Sequence, residues 1–110
     1  MRGSTTLQLG ELAVDAAVDG RLASLRLAGE LDVRTVGYLV EAYDTLFAGG
    51  VESIEIDGAE LSFVDSAGLR AIVIGLVRAS DAGIEFQVTE ASDPFERVLA
   101  ITGLSEALGR

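Results

Sequence analysis

Val14, Ala16 and Val18 alternate with Asp15, Ala17 and Asp19, and past Gly20 the alternation resumes with Ala23, Leu25 and Leu27 against Ser24 and Arg26. Two period-two runs around an Asp-Gly pair predict a β-hairpin. Residues 6–9 predict a short strand ahead of it, leaving residues 1–5 as a flexible lead-in. From Asp32 the period lengthens: Val33, Val36, Val40, Tyr43 and Phe47 recur at helical spacing, with Asp32 as N-cap and Gly49-Gly50 as the stop. "SIEID" returns to period two, with Ile54 and Ile56 on one side and Glu55 and Asp57 on the other. A loop then leads to a second helix from about Ser66 to Ser80, with Leu69, Ile72, Val73 and Leu76 as its apolar stripe. The strand "IEFQVT" turns Ile84, Phe86 and Val88 inward. A last helix opens at "SDPFERVL", where Asp93 can cap, Pro94 suits the first turn and Glu96 completes a capping box; Gly103 ends it.

This order (hairpin, helix, strand, helix, strand, helix) predicts an α/β fold in one domain over residues 6–110. Strand–helix–strand units place strands in parallel by a right-handed crossover, and the hairpin adds an antiparallel strand. The sheet is therefore mixed, with four to five strands. Its strands alternate and do not run continuously apolar, so the helices are expected mainly on one face. In such folds, sites gather where strands end and helices begin. If the strands ending near Ala28 and Asp57 are parallel neighbours, the stretch Gly29 to Asp32 and the pair Asp65-Ser66 share one edge. Asp32, Asp65 and Ser66 then become neighbours.

Composition removes most chemistry from that edge. The chain of 110 residues has no cysteine and no histidine, and all eight of its basic residues are arginines. Disulfides, thiolate catalysis, histidine bases and Schiff-base lysines are excluded, and no metal site or cofactor is expected. Eighteen acids against those eight bases give a net charge of −10, which disfavours direct nucleic-acid binding and favours partners with basic faces. The longest apolar run, Ala71 to Val77, is too short to span a bilayer, and the first ten residues are too polar for a signal peptide. A soluble, cytoplasmic protein without membrane insertion is expected.

Two readings of Ser66 stand at this stage. Serine is a favoured N-cap, and Ser66 then only starts its helix. Alternatively its hydroxyl is a phosphate acceptor, since a phosphoserine at a helix N-terminus meets the positive end of the dipole. A nucleophilic role lacks a base, and an Asp-Ser pair alone does not make a hydrolase. Carboxylate pairs such as Asp32 with Asp65, or Glu30 with Glu60, are the only source of enzymatic chemistry, and no enzyme is expected. Gly68 costs stability in a first helical turn, which suggests that something approaches that backbone closely. Arg70, Ile74 and Arg78 share a helix face and place an apolar residue between cations, a candidate contact for a partner.

The words "LAGELDV" (Leu27 to Val33), "LSFVDSAGLRAI" (Leu61 to Ile72) and "FERVLAITGL" (Phe95 to Leu104) resemble the STAS-domain family, and within it the bacterial anti-sigma-factor antagonists. The resemblance extends over about residues 6 to 108. It implies a small mixed sheet with helices to one side and phosphorylation at Ser66. The modifying partner would be an anti-sigma factor that is also an ATP-dependent serine kinase, and a serine phosphatase would reset the switch. Asp32 would lie near the serine and support binding, and Ala67 stands where many relatives carry a second hydroxyl. Taken with the helix start and the Arg70–Ile74 face, the partner-binding set expected is Asp32, Asp65, Ser66, Ala67, Gly68, Arg70 and Ile74. The alternative within the same fold is a scaffold subunit of a lipid-transport or signalling complex, in which Ser66 is only a cap.

Overall fold

The alternating runs form a single sheet. In the computed structural model, which describes residues 11–110 together with the strand course of residues 2–9, the strands are β1 (Arg2–Leu9), β2 (Leu12–Asp19), β3 (Leu22–Leu31), β4 (Ser53–Val64) and β5 (Glu85–Ala91). They lie in the order β1-β2-β3-β4-β5. The first two pairings are antiparallel, and β3 with β4 and β4 with β5 are parallel. Helices α1 (Val36–Ala48), α2 (Ser66–Ala82) and α3 (Asp93–Thr102) complete the chain. The α/β class, the mixed sheet and the parallel adjacency of β3 and β4 are as expected. β1 begins four residues ahead of Thr6, because its pairing with β2 runs out to Arg2 opposite Asp19. Met1, part of the lead-in expected to be flexible, lies outside the described residues.

Period two explains the two sheet faces. Ala23, Leu25, Leu27, Ile54, Ile56 and Val88 are buried in one apolar cluster together with Leu39, Tyr43, Leu46, Ile72, Phe95 and Leu99 from the helices. The opposite face presents the alternate residues Ser24, Arg26, Glu55, Asp57 and Thr89, which line a shallow polar depression. Arg26 pairs with Asp57 across β3 and β4 at 3.6 Å.

Four further differences from the sequence pattern each have a local cause. First, α1 starts at Val36 with Thr35 as its N-cap. Asp32 instead closes a turn: its carbonyl accepts from the amides of Thr35 and Val36, and its carboxylate accepts from the amide of Arg34. Second, the buried face of α1 is Leu39, Ala42, Tyr43 and Leu46. Val33 lies outside the helix and is 72% exposed, and Val40 is half-buried at the edge of the stripe. Third, β4 does not end at Asp57. Its alternation fails from Asp57 to Glu60, but the register against β3 shifts twice and pairing resumes up to Leu31 opposite Val64. Such bulges insert an unpaired residue and keep the ladder. Fourth, Ser92 caps α3, its hydroxyl accepting from Phe95 N–H at 3.3 Å. Glu96 pairs with Arg110 instead of closing a capping box.

The helices are joined through one buried tyrosine. Tyr43 of α1 donates its hydroxyl to the Ala71 carbonyl of α2 at 3.1 Å and meets Phe86 of β5 edge-on, ring centroids 6.0 Å apart. Gly75 leaves room for both rings, since a Cβ there would come within 2.6 Å of Tyr43 and 2.8 Å of Phe86. The tail closes the far side of the sheet: Val88 N–H donates to the Leu108 carbonyl, and Arg110 donates to the Thr89 carbonyl. Gly75→Ala is expected to lower the unfolding free energy by about 1–3 kcal/mol, as overpacked cores do. The measurement is a fall in the urea midpoint at unchanged slope.

Candidate functional site

The edge where β3 and β4 finish is built from two successive turns. Leu31 lies opposite Val64, so Asp32 and Asp65 leave neighbouring strands at the same level. The Asp65 amide donates to the Leu31 carbonyl at 3.3 Å, which ties the second turn to the first strand. Gly68 lies directly over Leu31, and a Cβ on it would collide with the Leu31 carbonyl. The close approach suspected from its position is therefore made by the chain itself.

Ser66 is not the N-cap. Asp65 takes that role in an extended conformation, its Oδ1 accepting from Gly68 N–H at 2.8 Å. Ser66 is the first residue of α2 and is exposed. Among the described residues its hydroxyl has no hydrogen-bond partner, so the cap is made without it. That geometry leaves an accessible oxygen at the tip of a 17-residue helix. Asp65 Oδ1 beside it is engaged with Gly68, and no described side chain is hydrogen-bonded to the Ser66 hydroxyl as a general base would be. Without an adjacent base among the described residues, that hydroxyl is not activated as a nucleophile.

The first turn is held by a hydrogen-bond hub that the sequence pattern did not reveal. Thr35, only 4% exposed, accepts from the Asp32 amide at 3.0 Å and donates to the Glu30 carbonyl at 2.8 Å. Arg34 reaches Glu11 at 2.7 Å, Asp32 at 3.1 Å and Glu30 at 3.6 Å. Gly29, at φ +108°, makes this cluster possible, since its bare Cα lets the Glu11 carbonyl approach and accept from Glu30 N–H at 2.8 Å. The glutamate that Glu30 meets is thus Glu11, not Glu60. The Asp32 and Asp65 carboxylates are likewise committed, one to Arg34 and the other to Gly68.

Charge follows from these contacts. Burial by itself would raise the Asp32 pKa. The hydrogen bonds from the Arg34 side chain and amide, with its charge and the Thr35 hydroxyl, outweigh burial and hold the carboxyl below its ordinary 3.8. Glu30 moves the other way, above its ordinary 4.5, chiefly through its hydrogen bond with Glu11, then through burial and the Glu11 charge.

Of the residues read as partner-binding, Ser66, Arg70 and Ile74 are on the surface, Asp65 and Ala67 are half-buried, and Asp32 and Gly68 are buried. Arg78 does not flank Ile74 as a free cation. It is bound to Asp44 of α1 at 2.7 Å and lies over the Phe47 ring at 4.6 Å. Two exposed apolar residues stand at the same edge outside that set: Val33, in the turn after Asp32, and Phe63, 48% exposed, two residues before Asp65. The second β4 bulge leaves Ser62 unpaired and turns Phe63 outward, and no periodicity announces that.

Comparison with known proteins agrees with this fold. A family model described as "Mlab, STAS domain" matches residues 14–109. An anti-sigma-B factor antagonist of Staphylococcus aureus is 28% identical over 97 residues, covering 88% of this chain and 90% of that protein. Among solved structures, an anti-sigma factor antagonist from Mycobacterium paratuberculosis superposes with a TM-score of 0.75 at 17% identity, over 99% of this chain and 84% of that one. The Bacillus cell fate determinant SpoIIAA in its phosphorylated form superposes at 0.68 with 22% identity, over 94% and 86%.

The depressed Asp32 pKa makes a signed prediction. The unfolded chain binds that proton more readily, so the carboxylate stabilises the fold above pH 3.8 and the contribution is lost as pH falls through the depressed value. Asp32→Asn should be less stable than the parent at neutral pH. Urea midpoints measured across pH should converge on acidification, and a constant gap would rule the linkage out.

Proposed function

The chain belongs to the STAS-domain family, and we propose that within it this protein is an anti-sigma-factor antagonist switched by phosphorylation of Ser66. The observation that carries the reading is the free, exposed Ser66 hydroxyl at the tip of α2, with the capping work done by Asp65. The Staphylococcus aureus relative bears the antagonist name, and a phosphorylated form of a structural neighbour exists. The partner is an anti-sigma factor with serine-kinase activity, which brings its own ATP. The antagonist in its unmodified form binds that partner and releases a sigma factor.

In the modifying step the Ser66 oxygen bonds to the γ-phosphorus of the partner's ATP, the bond from γ-phosphorus to the bridging oxygen breaks, and ADP leaves. The serine proton passes to a base on the partner, since no described side chain is hydrogen-bonded to the Ser66 hydroxyl to take it. A serine phosphatase later hydrolyses the phosphoserine. The antagonist acts in the cytoplasm and contacts protein, not DNA, in keeping with its charge of −10. No helix of the described residues is long and apolar enough to cross a membrane.

Docking over Ser66 buries the edge that carries Val33 and Phe63. A phosphate there adds a charge of about −1.5 to −2 at the centre of the contact. Mispaired interfacial charge costs several kcal/mol, and roughly 3 kcal/mol weakens binding about a hundredfold. No rearrangement of the fold is needed. The test is incubation with the kinase partner and ATP, read by intact mass: one phosphate is expected, and none on Ser66→Ala. Ser66→Asp is expected to bind the partner at least tenfold more weakly. Undiminished binding of Ser66→Asp would overturn the switch and favour a constitutive scaffold.

A further inference from the structure

Arg70 stands four residues beyond Ser66 on α2, so the two side chains share one face of the helix. Both are exposed. Five other arginines are committed, Arg21 to Glu52, Arg26 to Asp57, Arg34 to three carboxylates, Arg78 to Asp44 and Arg110 to Glu96, while Arg97 on the exposed face of α3 has no such partner among the described residues. Among the described residues Arg70 has no such partner, in a chain where acids outnumber arginines eighteen to eight. What sets Arg70 apart from Arg97 is its place, one helical turn from an exposed serine hydroxyl that has no hydrogen-bond partner among the described residues.

We propose that Arg70 is the intramolecular receptor for a phosphate on Ser66, an inference that rests on the phosphorylation proposed above. An anion followed four residues later by a cation is the favourable order along a helix. The planar guanidinium matches phosphate oxygens with two parallel hydrogen bonds, which an ammonium does not. The need for a receptor is local. Asp65 precedes the serine, and Asp32, Glu30 and Glu11 occupy the neighbouring turn around Arg34, whose own charge is already shared among them. Arg70 offsets the repulsion those acids impose on a phosphate. In doing so it leaves the solvent-facing position beside Ile74, so phosphorylation changes the docking face twice, adding an anion at Ser66 and withdrawing a cation one turn away.

The experiment uses the full chain with phosphoserine installed at position 66 during translation, so that no kinase is involved. The second ionisation of the phosphate is followed by ³¹P NMR in the parent, Arg70→Gln, Arg70→Lys and Arg21→Gln. Arg21 sits in the β2–β3 turn at the opposite end of the sheet and controls for loss of one positive charge. Arg70→Gln should raise the second pKa by about 0.15–0.4, with Arg70→Lys between it and the parent. Arg21→Gln should leave it in place. Coincident titrations of the parent and Arg70→Gln, or an equal rise in Arg21→Gln, overturn the proposal. A chain that passes this test yet is never phosphorylated by its partner would refute the antagonist switch and leave the Arg70 pairing intact, so the two failures are told apart.

Discussion

The Leu31 carbonyl is the point on which the rest of the molecule's working edge depends. It accepts from the Asp65 amide and lies so close under the first turn of α2 that residue 68 can carry no side chain. This single contact sets the height of α2 relative to the end of β3, and with it the exposure of Ser66. It also explains why the parallel pairing of β3 with β4 must run level at Leu31 and Val64. The two bulges in β4 absorb the extra residues that would otherwise carry the chain past that point.

Division of labour between Asp65 and Ser66 follows from the same arrangement. A helix start needs one side-chain acceptor for its unsatisfied amides, and a cap of this kind is worth about 0.5–2 kcal/mol. Because Asp65 supplies it, the fold makes no demand on the serine hydroxyl. Modification of that hydroxyl therefore touches no group on which the core relies. The buried cluster through Tyr43, Phe86 and Ile72 lies behind it, and the acid–arginine cluster around Arg34 holds the adjacent turn in place.

Much of this was legible in the chain. Hairpin, helices and strand order follow from where period two gives way to period 3.6, and Gly83 and Gly103 end their helices as glycine stops should. What stayed hidden depends on contacts distant in sequence. Residues Asp57 to Glu60 break the alternation and read as a loop, yet the ladder to β3 survives through a register shift that only the partner strand defines. Asp32 has the chemistry of a cap but spends it on a turn, because Thr35 and Arg34 reach it from the helix side. Asp65 and Ser66, like Ser92 and Asp93, are adjacent residues with equal credentials as caps, and the choice is made by where the helix axis meets the sheet. Thr35 carried no pattern at all; its importance lies in satisfying the Glu30 carbonyl and the Asp32 amide, both fixed by tertiary position.

The tail after α3 has a consequence beyond local packing. By engaging the outward-facing Val88 amide with Leu108 and the Thr89 carbonyl with Arg110, it acts as a stopper on the free side of β5. An open flank of that kind is a template on which strands from other molecules can add. Stoppered at Val88 and Thr89, β5 presents that stretch of its outer flank already hydrogen-bonded, so a foreign strand has no free backbone there to pair with.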